Sequence, residues 1–423
     1  MPGVADTEPV TDDESRRLFQ LLENRRVGLL AVSGGSDSMA LMWLVARWAK
    51  ETAWPGQLHV AVVDHGLRPE AVDEARFVEQ QANLLGLACH KLKWHGPYPA
   101  TGIPAAAREA RYDLLFDLAK KLDAMLLVGH TQDDQAETVL MRLARGSGVD
   151  GLSAMEAFTV RGGVELVRPL LDVSRQCLRA TLKQVGMGWI DDPTNQNLAH
   201  ERVRLREALA VLDDYGITQQ AIVRSARRLA SARSALDVAT LDLIQNAVTI
   251  KANAFALMSL QTWMDVSKEL QVRLVIELVR TFGGGGEISL SGAEAIAQWL
   301  CKGKGRARTF AGCMFVKRRH EFLVGREPAR VTEPPSIIQP GETMRTWDTR
   351  YDISWPITEQ EGKISVLQRA NKTNDFPRPA DIPAFVWEGL PVVTDRAGNR
   401  HVPGDCDKKN VFRLSRPLYM AKS

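Results

Sequence analysis

The chain has 423 residues, 45% of them hydrophobic and 25% charged, with a formal net charge of +3, a composition that excludes disordered and fibrous classes. At roughly 150 residues per domain the length implies two or three domains, and three are expected. No apolar run approaches the roughly 20 residues of a membrane helix, and the acidic start MPGVADTEPVTDDE is unlike a signal peptide, so a cytoplasmic protein with no membrane partner is expected.

From about residue 27 to 130, short apolar runs (VGLLAVS, HVAVVDH, ACHKLKW, AMLLVGH) alternate with stretches apolar at helical spacing (DSMALMWLVARWAK, RPEAVDEARFVEQQANLLG, IPAAAREARYDLLFDLAKKLDA, DDQAETVLMRLA). That alternation predicts a doubly wound α/β domain on a parallel sheet. ELVRPLL adds a candidate strand. After about residue 200 long helical patterns take over, broken by Gly283 to Gly286. From about 327 prolines and short strand-like runs (ISVLQ, LPVVTD) suggest a small strand-rich domain. The expected organisation is residues 1–24 as an extension with a first helix, 25–206 as the α/β domain, 207–326 as a mainly helical domain and 327–423 as the third. Cys89, Cys177, Cys301, Cys313 and Cys406 are odd in number and form no CxxC pair, which indicates neither a disulfide framework nor a zinc site.

Three motifs fall at the carboxyl ends of predicted strands, the edge where open α/β sheets bind ligands. The first, Ser33-Gly34-Gly35-Ser36-Asp37-Ser38, joins a strand to a helix, so its amides and the helix N-terminus can face a phosphate. It lacks the lysine and spacing of a Walker loop. Asp37 suits Mg²⁺, which is usually held by one or two carboxylates together with phosphates; as a plain turn the same residues would cap the helix. The loop resembles that of PP-loop ATP pyrophosphatases, which cleave ATP between its α and β phosphates.

The second motif, Val63 to Arg68 (VDHGLR), is followed by Arg108-Glu109-Ala110-Arg111-Tyr112. Arg108 and Arg111, three apart on a helix, could meet one phosphate-bearing ligand or form local ion pairs on a solvated face. The third, Gly129 to Thr138 (GHTQDDQAET), sets Asp134 and Glu137 three apart in a first helical turn. Two carboxylates there suit an ammonium group, and one could take the proton an attacking amine must lose; they would equally favour the helix dipole.

VDHGLR, AREARY, GHTQDDQAET, RGSGVDGLSAM and RPLL, in this order, resemble the N-terminal domain of tRNA(Ile)-lysidine synthetases over about residues 25 to 206. The resemblance implies an adenine nucleotide alpha hydrolase-like fold and ATP-dependent attachment of free L-lysine to the wobble cytidine of a CAU anticodon, through an adenylated tRNA. ATP as substrate, Mg²⁺ and tRNA(Ile) are the implied ligands, and a homodimer is among the open oligomeric states. Ser33, Gly34, Gly35, Ser36, Asp37 and Ser38, with Asp64, His65 and Gly129, are then nucleotide-binding, and Asp37 the metal ligand. Asp37, Arg108, His130, Asp134 and Glu137 form the catalytic set. Arg111, Arg145, Arg202 and Arg206 would face tRNA. The sequence departs from the family pattern at Ala154, where glycine is common, at PTN for PSN, and around the arginines of NLAHERVRLR, which leaves open which of Arg202, Arg204 and Arg206 meets tRNA.

Lys302 to His320 carries seven Lys/Arg and no acidic residue, interleaved with Phe310 and Phe315. Arg306, Arg308, Lys317 and Arg318 are candidate phosphate contacts, and the segment also reads as a solvated hairpin. A tRNA thiolase of the same superfamily would be expected to carry paired cysteines, a glutamine-fed amidotransferase an N-terminal catalytic cysteine, and a tRNA-binding module no ATP loop beside an acidic pocket.

Overall fold

The structure, a computed structural model, describes residues 8–66, 70–97, 99, 101–191, 201–342, 346–356, 359, 361–367, 377–403 and 411–415. Leu67, Arg68, Cys406 and the Pro193-Thr194-Asn195 run lie outside the described residues. The chain divides into two compact units, Met1–Arg233 and Ser234–Ser423.

In the first unit the apolar runs become β1 (Val27–Ala31), β2 (Gln57–Asp64), β3 (Ala88–Lys93), β4 (Met125–Val128), β5 (Phe158–Arg161) and β6 (Val164–Val167). They form one six-stranded sheet in the order β3-β2-β1-β4-β6-β5. All neighbours are parallel except β5, which pairs antiparallel with β6. The helices are α1 (Asp12–Phe19), α2 (Ser36–Glu51), α3 (Ala71–Leu84), α4 (Ile103–Leu122), α5 (Gln132–Ala144), α6 (Val149–Leu152), α7 (Arg175–Gln184) and α8 (Glu201–Asp214).

Strand side chains alternate between faces, and both faces are covered. Leu29 and Ala31 of β1 with Leu126 and Val128 of β4 pack with Leu115 and Phe116 of α4. Leu30, Met125 and Leu127 pack on the other face with Leu41 and Trp48 of α2 and Leu178 of α7. Burial on both faces explains why β1 and β4 read as continuous apolar runs.

The chain runs outward from β1 through β2 to β3, then returns to place β4 on the other side of β1. The switch in direction opens a crevice beyond the carboxyl ends of β1 and β4. SGGSDS follows one strand and Gly129-His130 the other.

The helix α9 (Gln219–Ala247) leads into the second unit. There β7 (Thr249–Lys251), β8 (Phe255–Ser259), β9 (Ala307–Phe310), β10 (Cys313–Lys317) and β11 (Glu321–Arg326) form an antiparallel sheet ordered β7-β8-β11-β10-β9. The segment expected to be mainly helical therefore holds a five-stranded sheet as well as α10 (Leu260–Asp265), α11 (Lys268–Phe282) and α12 (Leu290–Lys302). Its core, including Phe255, Trp263, Phe282 and Phe322, is continuous with that of the C-terminal strands. These are β12 (Ser336–Ile338), β13 (Thr346–Trp347), β14 (Tyr351–Ile353), β15 (Gly362–Val366), β16 (Pro391–Thr394), β17 (Arg400–His401) and β18 (Phe412–Leu414), with the short α13 (Ala384–Glu388). Arg326 of β11 grips Asp348 through two bonds, of 3.0 and 2.7 Å, joining the two sheet regions through a buried ion pair. Among the described residues no helix is long and apolar enough to cross a membrane.

Candidate active site

The SGGSDS loop is shaped by its own hydroxyls and by glycine. Ser38 Oγ accepts the Ser33 amide at 3.1 Å and donates to Gly35 O at 3.0 Å. Gly34 has φ +86°, and a Cβ there would stand 3.0 Å from Ile190 Cδ1, so the turn needs glycine. Gly35 occupies the N-cap of α2, where no side chain caps the helix, and the first-turn amides remain available to an anion. On the opposite lip, a Cβ on Gly129 would lie 3.1 Å from Asp37 O and 3.2 Å from Ser38 Cα. Glycine there lets the β4 end and the α2 N-terminus touch.

A cavity of about 670 Å³ opens at this crevice. Ser33, Gly35, Ser36, Asp37 and Ser38 line one wall, and Gly129, His130 and His65 stand at the strand ends. Arg108, Arg111 and Tyr112 of α4 supply another wall, with the Arg108 guanidinium 5.5 Å from the Tyr112 ring centre. Asp64 turns to its own loop, accepting the Gly66 amide at 2.8 Å.

Sequence reasoning missed Arg175 and Arg179, which also line the cavity. Arg175 Nε donates to Asp37 Oδ2 at 2.9 Å, and its Nη2 lies 3.8 Å from Asp134 Oδ1. Its backbone amide donates to Asp133 Oδ2 at 2.8 Å. Arg179 reaches Ser36 Oγ at 3.4 Å and Asp191 at 2.9 Å. The sequence offered one signal: RPLLDVS ends in a Ser174 N-cap, which places Arg175 at the start of a helix near the strand ends.

The carboxylates of α5 are held on its first turn. Asp134 Oδ2 closes a capping box, accepting from Thr131 N at 2.9 Å and Thr131 Oγ1 at 3.0 Å. Glu137 is 0% exposed. Its Oε1 accepts from Arg206 Nε at 2.6 Å, and its Oε2 is buried without a hydrogen-bond donor among the described residues. Arg202 Nη1 lies 3.4 Å from Asp134 Oδ1 and 3.9 Å from Glu137 Oε2. The arginines of α8 expected to face tRNA thus lie on the acidic pocket.

Burial sets the charge states. It raises the carboxyls of Asp37 and Glu137 above their usual range, against the pull of Arg175 and Arg206 respectively. Burial would raise Asp134 too, but Arg175, the Thr131 amide, His130 and Arg202 together hold it below its usual value. His130 is pushed down to about 4, chiefly by burial, against the pull of Asp134 and with Arg168, Arg108 and Arg202 adding to the effect. It is a neutral imidazole whose Nδ1 is buried without a partner among the described residues. Burial would lower Arg175, yet Asp37, Asp133 and Asp134 outweigh it and hold the guanidinium above its ordinary value.

Mg²⁺ fits the donor set in one manner. Asp37 lies on the cavity wall beside the loop, and no cluster of three or more His, Cys, Asp or Glu side chains suited to a metal occurs among the described residues. A cation shared between one carboxylate and substrate phosphates matches that arrangement.

The remaining candidates sit elsewhere. Arg145, 63% exposed, pairs with Glu201 at 3.0 Å and is not among the cavity's wall residues. In the second unit β9 and β10 form the hairpin of the basic segment. Lys317 Nζ donates to Trp299 O and Gly303 O at the end of α12. Arg308 lies 5.8 Å from the Trp299 ring centre, and Arg318 pairs with Glu321 at 3.2 Å. Arg306 is exposed.

Residues 10–212 match the PP-loop domain family. The tRNA(Ile)-lysidine synthase of Bradyrhizobium diazoefficiens is 51% identical over 236 residues, covering 56% of this chain and 65% of that protein. That of Rhodopseudomonas palustris is 43% identical over 303 residues, covering 71% of this chain and 88% of the relative. That of Mesorhizobium japonicum is 34% identical over 428 residues, covering 98% and 91%. With a nucleotide-type loop, a buried acidic pair and two relatives matched over 88% and 91% of their length, the chain belongs to the tRNA(Ile)-lysidine synthase family.

Proposed function

We propose that the protein joins lysine to C2 of the wobble cytidine in the CAU anticodon of tRNA(Ile), consuming ATP and releasing AMP and diphosphate. The observation that carries this reading is the convergence of an uncapped helix N-terminus and five loop residues on one cavity, with the buried carboxylates Asp134 and Glu137 bound to Arg175 and Arg206 of its wall.

Two displacements divide the work. The cytidine C2 carbonyl oxygen attacks the α-phosphorus of ATP; the new P–O bond forms as the bond to the β-phosphate oxygen breaks, and diphosphate leaves. The side-chain amine of lysine then attacks C2, forming C–N as the C–O bond to AMP breaks. Adenylation makes a good leaving group of a poor one. The amine must also lose a proton, and Asp134 and Glu137 are the candidate acceptors.

The chain's residues have distinct tasks here. The α2 amides receive phosphate oxygens, and Arg108, Arg111 and Arg179 balance the remaining charge. Asp37 would hold Mg²⁺, which supplies charge neutralisation for the triphosphate and the departing diphosphate. Neutral His130 donates or accepts one hydrogen bond beside the reacting base without adding a cation. Arg145, Arg306, Arg308 and Arg318 are the proposed RNA phosphate contacts. Lys317 completes that set only by giving up its bonds to the end of α12. We assign residues 25–206 to ATP chemistry, and 207–326 and 327–423 to tRNA binding. A tRNA substrate makes the cytoplasm the site of action.

ATP labelled at the α-phosphate tests the first step. Incubated with tRNA(Ile) bearing CAU and no lysine, the protein should transfer label to RNA, and added lysine should release it as AMP. Label that never enters RNA would exclude the adenylated intermediate.

A further inference from the structure

The acidic pocket on α5 is already filled with positive charge. Asp134 and Glu137 are engaged by three guanidiniums, those of Arg175, Arg202 and Arg206, and Asp37 and Asp133 also act on Arg175. Arg175 and Arg206 are on the cavity wall, whereas Asp134 and Glu137 are not. Arg206 and Arg175 thus present their guanidiniums to the cavity while the Glu137 and Asp134 carboxylates they engage do not line it. An incoming ammonium would be a fourth cation, and two like charges about 4 Å apart repel by about 4 kcal/mol at the effective dielectric of about 20 near a protein surface. An ammonium can therefore seat on Asp134 and Glu137 only once a guanidinium that engages them has left.

The three differ in how firmly they are held. Arg175 is 20% exposed and bonded to Asp37, with its amide fixed by Asp133. Arg202 and Arg206 are 36% and 34% exposed and sit four apart on one face of α8, so they can leave together. A guanidinium fork matches phosphate oxygens bidentately and loses little by exchanging a carboxylate for a phosphate. Glu137 Oε2, buried with no hydrogen-bond donor among the described residues, is an acceptor ready for an ammonium.

We propose that Arg202 and Arg206 are resident counter-cations that close the acidic pocket until RNA phosphates draw them away, so that tRNA binding opens the lysine site. The inference rests on the reading that Asp134 and Glu137 hold the lysine ammonium. It imposes an order, RNA before amino acid, and assigns the two arginines both a pocket and an RNA role in succession.

The test is calorimetric titration of L-lysine into the full chain, with and without tRNA(Ile) bearing CAU and with no ATP present, so that nothing turns over. The wild type should bind lysine weakly alone and at least about tenfold tighter with RNA. R202Q/R206Q should bind tightly without RNA, and R206K, which keeps the cation, should behave as the wild type. Lysine affinity no tighter in R202Q/R206Q than in the wild type would overturn the proposal, as would wild-type affinity indifferent to RNA. E137Q added to R202Q/R206Q separates the two levels: loss of binding upholds the acidic lysine site, and undiminished binding overturns that underlying reading. Circular dichroism melts confirm that each variant is folded.

Discussion

Arg175 Nε donates to Asp37 Oδ2 at 2.9 Å while the Arg175 backbone amide donates to Asp133 Oδ2 at 2.8 Å. One residue of α7 therefore ties the phosphate loop of α2 to the helix that carries the acidic pocket. Removing it would leave Asp37 and Asp134, both largely buried, without their shared cation. We expect Arg175→Ala to cost about 3 kcal/mol of stability, in the range for breaking a buried ion pair, seen as a lower urea midpoint. Arg175→Lys keeps the charge without the fork and should recover part of the stability. Equal midpoints for wild type and Arg175→Ala would show that the tie carries no energy.

Gly129 is a contact between backbones rather than a flexible joint. A Cβ there would press on Asp37 O and Ser38 Cα at 3.1 and 3.2 Å, and backbone atoms cannot rotate aside. Gly129→Ala should displace the α2 N-terminus, cost about 1 to 3 kcal/mol as overpacking does, and raise KM for ATP more than KM for lysine. An unchanged ATP KM would place the nucleotide away from this lip.

His130 makes stability depend on acid. Its folded pKa is lowered from the usual 6.5 to about 4, so between those values the unfolded chain binds a proton that the folded chain refuses. Stability should fall as pH drops from 6.5 toward 4, by at most about 1.4 kcal/mol per pH unit from this group. Asp134, held below its usual pKa, adds loss at lower pH as it protonates, while Asp37 and Glu137, raised by burial, act in the opposite sense. Thermal melts at pH 6.5 and 5.0 check this: His130→Gln should flatten the slope. A slope unaltered by that substitution would mean another group carries it.

Within the basic hairpin, residues of like charge should behave differently. Lys317 satisfies carbonyls at the end of α12 and lies 4.5 Å from the Trp299 ring centre, so Lys317→Ala should cost about 1 to 2 kcal/mol of stability. Arg306→Ala should leave stability unchanged, weaken tRNA binding, and reduce the salt slope of binding by about one. Binding at several salt concentrations, beside urea melts, distinguishes the two.

The first unit was largely legible because its strands are buried on both faces and its loops carry turn chemistry: VGLLAV, HVAVVD and AMLLVG each end at a motif that the sheet brings to one edge. The first turn of α5 was legible for the same reason, since Thr131 and Asp134 form a local capping box. What escaped depends on distance along the chain. Arg175 meets Asp37 across 138 residues and Arg206 meets Glu137 across 69, and a basic helix face reads alike whether it awaits RNA or covers carboxylates. The sheet β7-β8-β11-β10-β9 escaped because its strands are of three to six residues and are interrupted by the strongly periodic α11 and α12. In the basic segment charge alone could not separate Lys317, spent on a helix end, from exposed Arg306.

The most direct measurement supplies purified protein with tRNA(Ile) bearing CAU, ATP and labelled lysine, and follows label in RNA, with Asp37→Ala and Glu137→Ala alongside. ATP-dependent incorporation by the wild type is expected, with a loss of at least about a hundredfold in both variants. RNA binding without incorporation by the wild type, or incorporation that survives Glu137→Ala, would contradict it.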